Sequence, residues 1–125
     1  MKAEKCDVII GVVGVCASGK STLIAALSSR GYTCKHIAQE HSYVQNMWKR
    51  LVNPDILIYL SASYETTLKR KNLNWTMAEY LEQIRRLDDA CQQAQIKIIT
   101  DNLLPDELIE ETEKQILSLL QPVAP

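Results

Sequence analysis

No C-x-x-C pair occurs among the four cysteines, Cys6, Cys16, Cys34 and Cys91, and no histidine stands beside them at zinc-ligand spacing. They read as small buried residues of a protein kept in a reducing compartment. Neither sign of charge is in excess: 14 Lys plus Arg face 15 Asp plus Glu, for a net charge of -1. That removes the broad basic surface that nucleic acid would require, so any basic site must be local. No apolar run approaches the length of a membrane span. Lys2 and Lys5 ahead of an apolar run ending at Cys16 have the outline of a secretory leader. Asp7 interrupts that run, Val15 is a poor small residue before a cleavage point, and a glycine motif begins inside it, so the expected location is cytoplasmic. Internal repeats and low-complexity tracts are also missing. The 125 residues suit one domain, read here as residues 1–120 with 121–125 as a frayed tail.

What is present begins with Gly14-Val15-Cys16-Ala17-Ser18-Gly19-Lys20-Ser21, which follows the apolar run from Val8 to Val13. The order is strand, glycine loop, helix. Glycines at 14 and 19 allow successive N–H groups to turn inward toward an anion, and a helix opening at Lys20-Ser21 adds its unpaired amides and partial positive charge. In this pattern Gly14, Val15, Cys16, Ala17, Ser18, Gly19, Lys20, Ser21 and Thr22 would form the phosphate cradle. Lys20 would reach the β/γ-phosphates while solvated in the empty site, and Ser21 would sit on Mg²⁺. The motif resembles that of the P-loop NTPases.

The rest of the chain alternates strands with helices. Strands are expected at 7–13, 32–38, 56–60 and 96–99, the second near a sheet edge because of its polar content. Helices are expected at 20–30, closed by Gly31, and at 43–52, opened by a Ser42/Gln45 capping box. Ser63 caps a helix that ends in a basic loop, Lys69 to Asn74. Thr76 and Glu79 box the start of a helix burying Met77, Tyr80, Leu81, Ile84, Leu87 and Cys91. Pro105 starts a last helix with an apolar stripe of Leu108, Ile109, Thr112, Ile116, Leu119 and Leu120. The pattern is α/β: a doubly wound parallel sheet of about four to five strands with helices on both faces. Ligands of such sheets bind at the carboxyl edge, where the glycine loop, Gln39-Glu40-His41, Ser61-Ala62-Ser63 and Thr100-Asp101-Asn102 arrive.

Glu40 is the candidate base or Mg²⁺ helper, set against a loop glutamate that is merely solvated. His41 could assist or be a surface hydrogen-bonder. The strand at 56–60 ends in Ser61, where a metal-orienting Asp is common. Ser61 acting through water, Glu40 or Asp101 as substitute, and weak hydrolytic competence all stay open. Lys69, Arg70 and Lys71, with Arg85 and Arg86, form the one basic concentration and could close over a phosphoryl group. Asp101 and Asn102 could meet a base or ribose, or simply shape a turn. Trp48 and Trp75 read as packing residues rather than base-stacking platforms.

The segment from Pro54 through Leu60, the helix with Glu65 and Lys69-Arg70, then Glu79-Tyr80-Leu81 and Thr100-Asp101 before Leu104-Pro105 are similar to the second half of nucleotide and nucleoside kinases. That resemblance implies ATP and Mg²⁺ as cofactors, transfer of the γ-phosphoryl group to a small nucleotide-like acceptor, Lys69, Arg70 and Lys71 as lid cations, and adenine beside the loop before the final helix. Lys20, Glu40, Lys69 and Arg70 are then the catalytic candidates, and Ser21 and Glu40 the metal candidates. Residues 39–54 hold one short helix where such kinases carry an acceptor-binding insertion, so the acceptor site is small, absent, or supplied by a second subunit, as in a homodimer. A nucleotide-sensing or scaffold module with little turnover is the alternative. A guanine-reading Asn-Lys-x-Asp motif and a transporter signature loop are both missing.

Overall fold

The structure is a computed structural model that describes residues 8–71 and 74–120. Four parallel strands lie in the order β2-β1-β3-β4: β1 (Ile9–Gly14), β2 (Thr33–His36), β3 (Ile56–Ser61) and β4 (Ile96–Ile99). Between and after them run α1 (Lys20–Ser29), a 3₁₀ turn (Gln39–His41), α2 (Met47–Leu51), α3 (Tyr64–Lys71), α4 (Met77–Arg86), α5 (Asp88–Gln93) and α6 (Pro105–Leu120). The parallel α/β class and the edge position of β2 agree with the sequence reading. The sheet has the smaller of the two strand numbers expected.

Side chains alternate across a strand, so each central strand feeds two cores. Ile10, Val12, Ile56, Ile58, Leu60, Ile96 and Ile98 point to one side, where they meet Leu23 and Leu27 of α1 and Leu108, Ile109 and Ile116 of α6. Val13, Leu57 and Tyr59 point to the other, where they meet Trp48, Leu87 and Ala90. Helices therefore cover both faces. β4 is covered on one face only, and Ile99 stays exposed on the other.

Several helix boundaries differ from the sequence reading, each because a tertiary bond takes the backbone group that a local pattern would use. The Ser42/Gln45 box does not form. Ser42 Oγ accepts from Val44 N at 3.1 Å, while Gln45 crosses to Arg85 O at 2.8 Å and Asp89 N at 3.2 Å. Helix α2 starts only at Met47, and Trp48 N is capped from a distance by Gln39 Oε1 at 2.8 Å. Gln45 also accounts for the break between α4 and α5, because it accepts from the Asp89 amide and donates to the Arg85 carbonyl that a continuous helix would join to each other. Met77 and Leu81, expected on a buried face, are exposed, as is Leu119 on α6.

Other local signals hold. The Thr76/Glu79 box opens α4, Gly31 at φ 96° ends α1, and the Ser63 hydroxyl accepts from Thr66 N at 3.2 Å to start α3. Helix α3 runs through Lys71, so Lys69 to Lys71 are helical rather than part of a loop. Trp48 is core, its Nε1 donating to Asp89 at 3.0 Å, whereas Trp75 is half-buried against Tyr80. Cys16, Cys34 and Cys91 are half-buried free thiols rather than buried ones. Cys6 and the tail at 121–125 lie outside the described residues. Among those residues, no helix is long and apolar enough to cross a membrane.

Candidate functional site

The glycine loop leaves β1 at its carboxyl end and re-enters as α1. Gly14 has no room for a side chain: a Cβ there would lie 2.4 Å from the Leu60 carbonyl oxygen and 2.7 Å from Ser18 Oγ. Close passage of β3 therefore requires glycine at this position. Gly19, at φ 106°, is the left-handed residue from which α1 starts. Ala17 also adopts a left-handed conformation, at φ 65°, which an L-residue with a Cβ does at a cost.

Long-range bonds hold the loop open. Gln83 of α4 grips Cys16 at both ends, its Oε1 accepting from the Cys16 amide at 3.1 Å and its Nε2 donating to Sγ at 3.2 Å. Thr100, buried at the end of β4, donates its hydroxyl to Ser18 O at 2.9 Å. The same hydroxyl accepts from Arg70 Nη1 at 2.7 Å, and Arg70 also donates to the carbonyls of Thr100 and Ala17.

Above the loop is a cavity of about 410 Å³. Cys16, Ala17 and Gly19 of the loop line it with Lys20, Ser21 and Thr22 of α1; His36, Glu40 and His41 form one wall, and Arg70 and Lys71 another. The first amides of a helix lack intrahelical partners, and in α1 they belong to the residues on this lining. A second cavity of about 240 Å³ adjoins it across Gly19, Thr22 and Arg70, with Leu103, Pro105 and Leu108 as its apolar side.

Lys20 does not extend into solvent. It is 7 % exposed, and its ammonium donates to Gly14 O, to Val15 O at 3.4 Å and to Glu40 Oε2 at 2.5 Å. Glu40 is 3 % exposed. This corrects the expectation of a solvated lysine: burial in low dielectric makes a lone ammonium costly, and Glu40 with two loop carbonyls offsets that cost. The other Glu40 oxygen, Oε1, and the Ser18 hydroxyl are buried polar atoms without a hydrogen-bond partner among the described residues; Glu40 lines this cavity and Ser18 the adjoining one.

The remaining site residues named from the sequence are distributed unevenly. Arg70 and Lys71 reach the cavity wall, and Lys69 is exposed on the same helix without lining it. Arg85 is engaged with Glu82 at 2.5 Å on the exposed side of α4. Arg86 pairs with the same carboxylate at 2.9 Å, donates to Glu40 O at 3.4 Å, and lies over the Tyr43 ring. Asp101 faces α3, accepting from Ser63 N at 2.9 Å and Thr66 Oγ1 at 2.5 Å, and Asn102 is exposed in the turn that follows. Burial pushes the Asp101 carboxyl up, but the bonds from Thr66 and Ser63 and the charge of Arg70 outweigh this and hold it below the ordinary carboxylate range.

Sequence reasoning brings Gln39 and Thr100 to the ligand edge without giving either a role, and it misses Gln83 and the Lys20–Glu40 pairing. Gln39 is fully buried and satisfies three backbone groups, accepting from Trp48 N and donating to Val44 O at 2.8 Å and Arg86 O at 3.1 Å. Its place directly before Glu40 in a ligand-edge loop was the available signal. No family model matches the chain, and no curated protein matches it.

Proposed function

We propose that the protein binds a nucleoside triphosphate with Mg²⁺ at the glycine loop and acts as a small P-loop kinase, passing the γ-phosphoryl group to a small acceptor. The observation that carries this reading is the buried Lys20–Glu40 pair on the lining of the glycine-loop cavity, with the first residues of α1 on the same lining and Glu40 Oε1 without a hydrogen-bond partner among the described residues. A buried ammonium held against a glycine loop can turn onto an anion at little cost once phosphate replaces the carboxylate and carbonyl oxygens. The Ser21 hydroxyl and Glu40 line the same cavity and would hold Mg²⁺, which when bound spreads the charge of the β- and γ-oxygens. Their oxygen chemistry fits such an ion, and the orphaned Glu40 Oε1 has a lone pair to offer.

In this reading an acceptor oxygen forms a bond to the γ-phosphorus as the bond to the β-bridging oxygen breaks, and the acceptor proton passes to the Glu40 carboxylate. Arg70, on the lining of the same cavity, balances charge on the equatorial oxygens. It arrives already fixed on Thr100, so its role is a positioned cation rather than a swinging lid. The base would lie on Leu103, Pro105 and Leu108 in the adjoining cavity. Asp101 is committed to the start of α3 and contributes to that cavity only by holding the loop.

A nucleotide-sensing module with little turnover is favoured by one observation. Within residues 39–54, where an acceptor insertion would fit, Gln45 and Trp48 tie the chain down onto α4 and α5. Following ADP release from ATP with and without a panel of nucleosides and nucleotides separates the two. Stimulation by one acceptor supports the kinase, tight binding without release supports the sensor, and no ATP binding at all contradicts both.

A further inference from the structure

Cys16, Glu40 and His41 place a thiol, a carboxylate oxygen and an imidazole nitrogen within 4.8 Å of one another on the lining of the glycine-loop cavity. The Glu40 side chain is almost wholly buried; its Oε2 lies 3.8 Å from His41 Nε2 and is held by Lys20, and its Oε1 has no hydrogen-bond partner among the described residues. From this we infer a binding site for a soft divalent transition metal of the zinc class, with Cys16 Sγ, His41 and Glu40 as its protein ligands. This inference rests on the cluster alone and goes beyond nucleotide binding.

Ligand chemistry sets the choice of metal. A thiolate, an imidazole and one carboxylate oxygen suit zinc and its analogues, whereas Mg²⁺ takes oxygen ligands and does not favour sulfur. Three protein donors leave a tetrahedral ion one open position, which faces the cavity. Metal–ligand lengths of about 2.0–2.3 Å put neighbouring donors roughly 3.5 Å apart. The cluster must therefore contract by about an ångström, which the exposed His41 ring can supply, its Nε2 already lying 3.8 Å from Glu40 Oε2. Two outer partners are in place. Gln83 Nε2 donates to Cys16 Sγ and fixes its position, and Lys20 holds Glu40 Oε2 and so orients the carboxylate. Binding forms a metal–sulfur bond and releases the thiol proton to solvent, so occupancy rises with pH.

The site shares its cavity with the glycine loop and the start of α1. An ion there would engage Glu40 and take space at the loop side of the cavity, so nucleotide and soft metal would compete.

Cobalt(II) titration of the reduced full chain without nucleotide tests the site, because thiolate-bound cobalt shows a sulfur-to-metal charge-transfer absorption and tetrahedral cobalt strong visible bands. The expected result is both signatures, displaced by zinc. Cys16→Ala should abolish the charge-transfer band, and His41→Ala and Glu40→Gln should each weaken cobalt affinity tenfold or more. His41 is exposed, so its variant keeps the fold and reports on ligation alone. A charge-transfer band that survives Cys16→Ala, cobalt affinity unchanged in His41→Ala, or no thiolate band in the wild type would overturn the inference.

Discussion

Lys20 at the first position of α1 and Glu40 in the 3₁₀ turn after β2 are joined at 2.5 Å, each more than nine-tenths buried. Taking away either partner strands the other charge in low dielectric, a loss of about 3–5 kcal/mol by analogy with other buried pairs. Lys20→Met and Glu40→Gln should each lower the urea midpoint substantially, while Lys20→Met/Glu40→Gln together should recover most of the loss. Additive losses in the double variant would show that the pair is not coupled.

Glu40→Gln should also separate binding from chemistry. With its carboxylate partner neutralised, Lys20 is freer to meet phosphate, so affinity for the triphosphate without Mg²⁺ should rise several-fold, while turnover with Mg²⁺ falls by about 10² or more, the usual effect of removing a general base. Parallel calorimetry and ADP-release measurements check this. Turnover unchanged in Glu40→Gln would remove Glu40 from the chemistry.

Arg70 binds Thr100 through its hydroxyl and carbonyl and also reaches the Ala17 carbonyl, a planar set of contacts that lysine cannot copy. Arg70→Lys should therefore behave much like Arg70→Ala, each reducing turnover about 10²-fold. Full activity in Arg70→Lys would mean that charge alone suffices.

Asp101 gives a pH-dependent term. Its folded pKa lies below its unfolded value, so it binds fewer protons when folded. Its contribution to stability is complete above the ordinary carboxylate value near 3.9 and disappears as pH falls through the lower folded value. Asp101→Asn should cost about 1 kcal/mol at neutral pH, discounted for partial exposure, and the gap to wild type should narrow below pH ~4. Thermal melts from neutral to acid pH check the sign, and a gap that widens in acid would contradict it.

Loop geometry supplies a further pair of variants. Gly14→Ala drives a Cβ into the β3 backbone and should destabilise by about 1–3 kcal/mol or prevent folding. Ala17→Gly relieves a left-handed alanine and should stabilise by up to about 1 kcal/mol. Denaturant titration distinguishes them by sign.

The parts of this molecule that could be read from sequence are those written locally. The apolar strands, the glycine loop, the Thr76/Glu79 box and the Ser63 cap depend on neighbours within a few residues, and each appears where expected. Features set by distant partners were not legible. Gln83 holds Cys16 across 67 positions of chain and Thr100 holds Ser18 across 82, with no local pattern to mark either glutamine or threonine. Gln45 shows the conflict directly: its spacing from Ser42 suits a capping box, yet its amide is worth more bridging Arg85 and Asp89. Glu40 was picked out by its place at the ligand edge, but that it neutralises Lys20 follows only from the fold.

The most direct test is calorimetric titration of Mg-ATP into the wild type and into Lys20→Met/Glu40→Gln, whose folding is first verified by circular dichroism. Saturable binding by the wild type, weakened at least tenfold in the double variant, is the expected result. No binding by the wild type, or equal affinity in both proteins, would contradict a triphosphate site at the glycine loop.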